Sequence, residues 1–263
     1  MTGILLQAFK KNCPDHKLWV CDFGMTRYEC NILAKMGVLL QKPTFIKDNL
    51  HPWIYKASVY HYITQIYADV VVWIDSDSFP VGSYALEVEK IVSKWGIGQD
   101  KIAICQDWVN KTWEFGSSSE NISYFQMQPQ CPYYGAGNWI LYSKNVLEHY
   151  ASEIEAVPKT GYWEQDLFNY LLNKNSVIIQ QLPNEIWQVA HDGLNDIEID
   201  SDNKVTLNNN EVLIIHITGV YNNRNISVGP LQGTIRTVDN TKLTDLQLQL
   251  ITEWVDSNSI NIV

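Results

Sequence analysis

Apolar runs and stretches of helical spacing take turns along most of the chain. Lys17-Leu-Trp-Val-Cys-Asp-Phe-Gly24 reads as a strand ending in a turn, and Thr26 to Met36 reads as the helix behind it, closed by Gly37. Thr44-Phe-Ile predicts a short strand. Pro52 to Ile66 places Trp53, Tyr55, Ala57, Val59, Tyr60 and Ile63 at helical spacing, and it leads into Asp69-Val-Val-Val-Trp-Ile-Asp-Ser-Asp77. The five apolar residues in a row predict a strand buried on both faces. Tyr84 to Trp95 predicts a helix and Ile102 to Cys105 a strand. The Trp-, Ser-, Asn- and Gln-rich stretch from Asp107 to Pro132 reads as a long irregular region, the kind of segment that often carries binding. A strand at Asn138 to Tyr142, helices at Lys144 to Ala156 and Glu164 to Leu172, and strands at Val177-Ile-Ile and Val212 to His216 come next, with a polar, acidic stretch from His191 to Asn210 between those last two strands. Thr241 to Val255 predicts a terminal amphipathic helix. Alternation of this kind implies an α/β fold with a mostly parallel central sheet flanked by helices. No repeat or low-complexity linker interrupts residues 1–263, which read as a single domain whose last part, 241–263, is the C-terminal helix and tail.

Composition narrows the class of partner. The chain has 263 residues, 46% of them hydrophobic, and a net charge of −10 spread along its length, so no basic cluster stands ready to neutralise a nucleic-acid backbone. An acidic protein that takes a phosphorylated substrate needs a cation to bridge acid to acid. The five cysteines are odd in number and form no Cys-x-x-Cys pair, which fits a reducing compartment better than a disulfide framework or a zinc site. Met1 to Gln7 lacks the order and length of a signal peptide, and no segment approaches a membrane span, so the chain is expected to be soluble and cytoplasmic. Asn110, Asn121 and Asn225 begin N-glycosylation patterns that an Asn-rich chain produces by chance.

Three constellations carry chemistry. The first is Val70-Val-Val-Trp-Ile-Asp75-Ser-Asp77, an apolar strand that ends in two carboxylates one residue apart. Ligands of open α/β sheets bind beyond the carboxyl ends of strands, and hard oxygen donors at this spacing suit Mg²⁺ or Mn²⁺. The same tripeptide also serves as an ordinary turn ahead of Pro80. The second is Val212-Leu-Ile-Ile-His216-Ile-Thr-Gly219, where an imidazole at a strand end offers a third ligand or is simply a satisfied, partly buried histidine. The third is Gly161-Tyr-Trp-Glu164-Gln165-Asp166, whose acids open a helix and fit capping as well as catalysis.

Taken together these motifs resemble known glycosyltransferases. Trp53-Ile-Tyr-Lys56 followed by Trp73-Ile-Asp75-Ser-Asp77 is similar to the W-x-x-K and W-x-D-x-D pattern of yeast and plant galactosyl- and xylosyltransferases. The order Asp-x-Asp, Gly135-Ala-Gly137, Gln165-Asp166, His216-x-x-Gly resembles the retaining glycogenin and lipopolysaccharide-galactosyltransferase group. The resemblance implies the GT-A fold, a nucleotide-sugar donor, UDP-linked for choice, and a carbohydrate acceptor. It implies Mn²⁺ or Mg²⁺ on Asp75, Asp77 and His216, with Asp75 also meeting the donor. It places Lys56 near the diphosphate, Gly135 and Gly137 near the donor sugar, and Glu164, Gln165 and Asp166 beneath its reacting carbon. The chain departs from the pattern in several places. Gly135 stands where the bacterial group has Asn, Glu164 stands for Asp, and the Lys-Pro-Trp that often follows the His motif is replaced by Asn222-Asn-Arg224-Asn, which offers Arg224 as the phosphate contact. The base-binding first strand of such enzymes is missing or survives as a shortened strand at Thr2 to Leu6, since Gly3 to Lys11 reads as a helix.

Retaining transfer needs no strong base below the sugar, which leaves Gln165 to stabilise an oxocarbenium-like carbon; inversion would need Glu164 or Asp166 as general base. Aromatic residues between Trp108 and Tyr134 offer stacking surfaces for an acceptor. The rivals are a sugar nucleotidyltransferase, for which no Gly-rich, Arg-containing N-terminal loop is present, a sugar- or nucleotide-binding module of the same fold that has lost catalysis, and a metal-dependent phosphatase or nuclease, which would want more clustered His and Asp.

Overall fold

A computed structural model describes residues 2–66, 68–96, 99–107, 111–218, 221–228 and 231–257. Gly219, Trp108 and Asn110 lie outside the described residues. The chain divides into two compact units, one built from Met1–His16, Trp73–Lys94 and Leu182–Val263, the other from Lys17–Val72 and Trp95–Gln181. No linker marks this division in the sequence because each unit is assembled from separated stretches of chain.

In the first unit the helix Thr2–Asn12 packs on the helix Thr241–Ser257, and Ile4, Leu5 and Ala8 of the first and Leu250, Ile251 and Trp254 of the second are buried. Thr2 to Leu6 is therefore helical, and no shortened strand exists there. The two helices approach closely at Gly3, where a Cβ would lie 2.9 Å from Cδ1 of Ile251. Strand Ser78–Pro80 pairs antiparallel with Ile214–His216, and all of these residues are buried. The polar stretch from His191 to Asn210 folds its apolar residues inward as a small antiparallel sheet of Glu198–Ile199, Val205–Leu207 and Asn210–Glu211. A hairpin of Asn222–Val228 and Leu231–Thr237 comes after His216.

The second unit is centred on a sheet in the order Val71–Ile74, Tyr134–Tyr142, Lys101–Gln106, Ile178–Leu182, which the first of these strands enters through Val71 and Val72. Lys101–Gln106 and Tyr134–Tyr142 run antiparallel, with a bulge between Ile104 and Gln106. Ile102, Ala103, Ile104, Leu167 and Phe168 are fully buried and make the core between this sheet and the helix Trp163–Lys174. A parallel pair, Val20–Cys21 with Leu39–Leu40, flanks the helix Arg27–Lys35, which a capping box of Thr26 and Glu29 starts. The α/β class stands, with ladders of mixed direction.

Several local expectations change. Lys17 to Gly24 is extended as a paired strand only at Val20–Cys21. Thr44-Phe-Ile is a turn closed by the Ile46 amide donating to Pro43 O at 3.0 Å, and Phe45 is exposed. The helix expected from Pro52 to Ile66 breaks into Pro52–Ala57 and Val59–Ile63 at Ser58, whose hydroxyl donates to Ile54 O at 2.8 Å. Val71–Ile74 is not buried on both faces: Val72 is 38% exposed, and among the described residues the strand stands at the end of the sheet order. Within the irregular stretch after Asp107, Trp113–Gly116 and Ser119–Phe125 are short helices.

Candidate functional site

In the first unit the chain leaves Val71–Ile74 and turns, with the Ser78 amide donating to Asp75 O at 2.9 Å. Beyond the turn, ladder bonds hold the backbone on both sides. The Ile217 amide donates to Asp77 O at 2.8 Å, and the His216 amide donates to Val189 O at 2.9 Å. Backbone pairing thereby brings a carboxylate and an imidazole together from strands far apart in sequence. His216 Nε2 lies 3.4 Å from Asp77 Oδ1. Trp73 Nε1 donates to Asp75 Oδ1 at 2.6 Å and sets the rotamer of the first acid. One ligand atom from each of Asp75, Asp77 and His216 falls within 4.8 Å of the others.

Two oxygen donors and one imidazole nitrogen form a donor set suited to Mn²⁺ or Mg²⁺, and thiolate ligands are not among them. The buried His216 Nδ1 has no hydrogen-bond partner among the described residues, and Nε2 is the ring nitrogen that faces the Asp77 carboxylate. These residues fit a hard divalent ion.

Sequence reasoning missed the residue that faces this cluster. Arg236 Nη1 donates to Asp77 Oδ2 at 2.6 Å, and its guanidinium stacks 4.6 Å from the ring centre of Tyr221. Burial pushes the Asp77 carboxyl up, but the hydrogen bond and charge of His216 and the charge of Arg236 outweigh it and hold the group below its ordinary value. Arg224 takes a different place. In the hairpin register Arg236 lies opposite Asn223 and Arg224 opposite Ile235, so the two arginines project from opposite faces. Arg224 is exposed and lines a surface hollow with Asn222, Thr237, Asp239 and Asp245.

The second unit holds the other predicted residues. Gly135 and Gly137 are buried within the strand Tyr134–Tyr142, and between them the Ala136 amide donates to Gln165 Oε1 at 3.2 Å. Gln165 Nε2 donates to Asp107 Oδ2 at 2.9 Å, and the same carboxylate oxygen takes Lys111 Nζ at 2.8 Å. One helical turn on, Asn169 accepts from the Tyr134 amide at 2.7 Å and donates to Tyr134 O at 2.8 Å. The i, i+4 spacing thus points Gln165 and Asn169 at one strand.

Glu164 and Asp166 flank Gln165 and turn away from it. Glu164, 4% exposed, faces Lys56 with Nζ and Oε1 3.7 Å apart. Asp166 is fully enclosed, accepting from Asn121 Nδ2 and Tyr133 Oη, each at 2.7 Å. Burial raises the Asp166 carboxyl, and hydrogen bonds from Tyr133, Asn121 and Ser117 and the charge of Lys111 offset part of the rise. Asn121 is itself fully buried, so the glycosylation pattern it begins is closed to modification in the fold. Of the three neighbours at the start of this helix, Gln165 alone is partly exposed.

No protein-family model matches the sequence, and no curated protein matches it. Solved structures do. The chain is similar to the galactosyltransferase LgtC, crystallised with donor and acceptor sugar analogues, at 14% identity and a TM-score of 0.56 over 98% of this chain and 95% of that one. It is similar to the glycosyltransferase GlyE of Streptococcus pneumoniae TIGR4 in its apo form, at 13% identity and a TM-score of 0.51 over 97% of this chain and 60% of that one. It is also similar to the bifunctional glycosyltransferase WbbM, at 15% identity and a TM-score of 0.50 over 83% of this chain and 43% of that one. The likeness is one of fold: the chain has the GT-A architecture.

Proposed function

We propose, from that GT-A fold, that the chain is a metal-dependent glycosyltransferase that moves a sugar from a nucleoside-diphosphate donor, UDP-linked, to a hydroxyl of a carbohydrate acceptor. The observation that carries the proposal is the meeting of Asp75, Asp77 and His216 within 4.8 Å where an apolar strand ends. Asp75, Asp77 and His216 would hold Mn²⁺ or Mg²⁺, which supplies charge to offset that developing on a departing diphosphate.

The chain's own residues divide the remaining work. Lys56 is assigned to the diphosphate by the resemblance, Arg224 is the cation offered where the chain departs from the family pattern, and the buried contact of Lys56 with Glu164 adds a positioning role for the lysine. Gly135 and Gly137 flank the Ala136 amide, whose bond to Gln165 fixes the amide plane of that side chain. A carboxamide is not a base at neutral pH, but its oxygen can stabilise positive charge at a sugar carbon. The two candidate bases beside it, Glu164 and Asp166, are buried and engaged with Lys56 and with Asn121 and Tyr133. This favours transfer with retention, in which the acceptor loses its proton on the leaving-group side.

The test is nucleotide release from a panel of UDP- and GDP-sugars, with Mn²⁺ or with chelator, by the wild type and by Asp75→Ala/Asp77→Ala. Metal-dependent release from one donor, lost in the double variant, is the expected outcome. Binding of nucleotide without release would identify a catalytically silent module, and release of pyrophosphate from a nucleoside triphosphate and a sugar phosphate would identify a nucleotidyltransferase.

A further inference from the structure

We propose that Arg236 makes occupation of the metal site conditional on a diphosphate: the guanidinium holds Asp77 when no ligand is bound and passes to phosphate oxygens when the ion enters. This rests on the reading of Asp75, Asp77 and His216 as a divalent-metal site.

The argument starts from the two oxygens of Asp77. Oδ1 faces His216 Nε2 at 3.4 Å, and Oδ2 is bonded to Arg236 Nη1 at 2.6 Å, a short charge-assisted contact. A divalent ion entering this cluster takes a carboxylate that already serves a cation, and it arrives beside a second fixed positive charge. A guanidinium does not lose its proton in a protein, so Arg236 cannot relieve the repulsion by titrating. It has to move, or an anion has to arrive with the ion. A diphosphate meets both needs, because it offers oxygens to the metal and paired acceptors to the guanidinium fork.

The structure gives Arg236 room for that exchange and a fixed base from which to make it. Its backbone is held, since Gln247, itself fully buried, donates to Arg236 O at 2.8 Å. Its side chain is 37% exposed, and among the described residues its remaining hydrogen bond, to Ile217 O, is long at 3.5 Å. The ring of Tyr221 forms a face along which the guanidinium can shift without losing its cation–π contact. Arg224 is not equivalent, because it projects from the other face of the hairpin.

The proposal predicts reciprocal coupling between metal and diphosphate that runs through one side chain. The experiment is a Mn²⁺ titration of the full chain, read from the electron paramagnetic resonance signal of free ion, without anion, with UDP, and with inorganic pyrophosphate. A protein-free titration is subtracted for Mn²⁺–anion complexes in solution. For the wild type, UDP and pyrophosphate are expected to tighten Mn²⁺ binding on the order of tenfold. Arg236→Gln is expected to bind Mn²⁺ alone more tightly than the wild type and to lose most of the enhancement. Arg236→Lys keeps the charge and loses the fork, so its enhancement is expected to fall several-fold; it decides the matter if the glutamine variant does not fold. Equal enhancement in wild type and variants, or weaker binding of Mn²⁺ alone by Arg236→Gln, overturns the coupling and leaves the metal site standing. Failure of the wild type to bind Mn²⁺ in all three conditions overturns the metal site and the coupling together.

Discussion

Tyr133→Phe removes a single hydroxyl from the fully buried network around Asp166. In the wild type that hydroxyl donates to Asp166 Oδ1 at 2.7 Å, while Asn121 donates to Oδ2 at 2.7 Å. Both Tyr133 and Asp166 are fully buried, so no water replaces the lost donor without repacking. A hydrogen bond to a buried charged acceptor contributes about 1.5–3 kcal/mol. In a chain of this size that corresponds to a fall in Tm of roughly 3–12 °C. The pH dependence is set by the direction of the Asp166 shift. Its carboxyl is raised in the folded state by burial, against the opposing hydrogen bonds. The folded state therefore holds this proton more tightly than the unfolded chain, and stability falls as pH rises from the unfolded pKa towards the folded one. Removing the Tyr133 hydroxyl raises the folded pKa further and extends that window upward. Thermal unfolding of both proteins at pH 5 and pH 7.5 should show a larger deficit for the variant at pH 7.5. Equal Tm values at pH 7.5, or a deficit that grows as pH falls, would refute the reasoning.

The remaining predictions concern packing and the second buried acid. Gly116→Ala places a Cβ 2.3 Å from Cδ1 of the Tyr133 ring and should cost about 1–3 kcal/mol by overpacking, read as a lower urea midpoint. Gly3→Ala meets the flexible tip of Ile251 at 2.9 Å and the Trp254 ring at 3.2 Å, both less severe than the 2.3 Å approach at Gly116, and should cost less in the same assay; the opposite order would contradict the packing described. Lys56→Met takes the cation from beside buried Glu164 and should cost about 3–5 kcal/mol, whereas Lys56→Met/Glu164→Leu should recover much of the loss. A single variant as stable as the wild type would contradict a stabilising buried contact between Lys56 and Glu164.

The features legible in the sequence were local. Asp75 and Asp77 stood out because an apolar run ended in them, and His216 because another run ended in it. The ladder Ser78–Pro80 with Ile214–His216 is what joins the two, and strand ends tend to deliver side chains to ligand sites. Gln165 was visible through its neighbours, but the partners that orient it, Asp107 and the Ala136 amide, are 58 and 29 residues away. Arg236 lies 159 residues from Asp77, and no spacing rule relates them. A weaker clue existed, since the chain has three arginines and Arg224 and Arg236 both come after His216. Choosing between them required the register of a hairpin that the pattern of apolar residues does not reveal. Val71–Ile74 is less buried than its apolar run suggests, because such a run reports what a strand tolerates, whereas its exposure depends on what packs over each face of the sheet.

The two acids at the start of the helix Trp163–Lys174 show the same limit in reverse. Their type and position fitted a general base, a helix cap and a buried structural network alike, and the fold encloses both of them. For Asp166 the deciding residues were Asn121 and Tyr133, which the sequence offered as a glycosylation pattern and one aromatic among many.

The most direct measurement of the central claim is anomalous diffraction at the manganese edge from crystals grown with Mn²⁺ and UDP. The account predicts one strong peak within bonding distance of Asp75, Asp77 and His216. A peak elsewhere, or none at saturating Mn²⁺ and UDP, would contradict it.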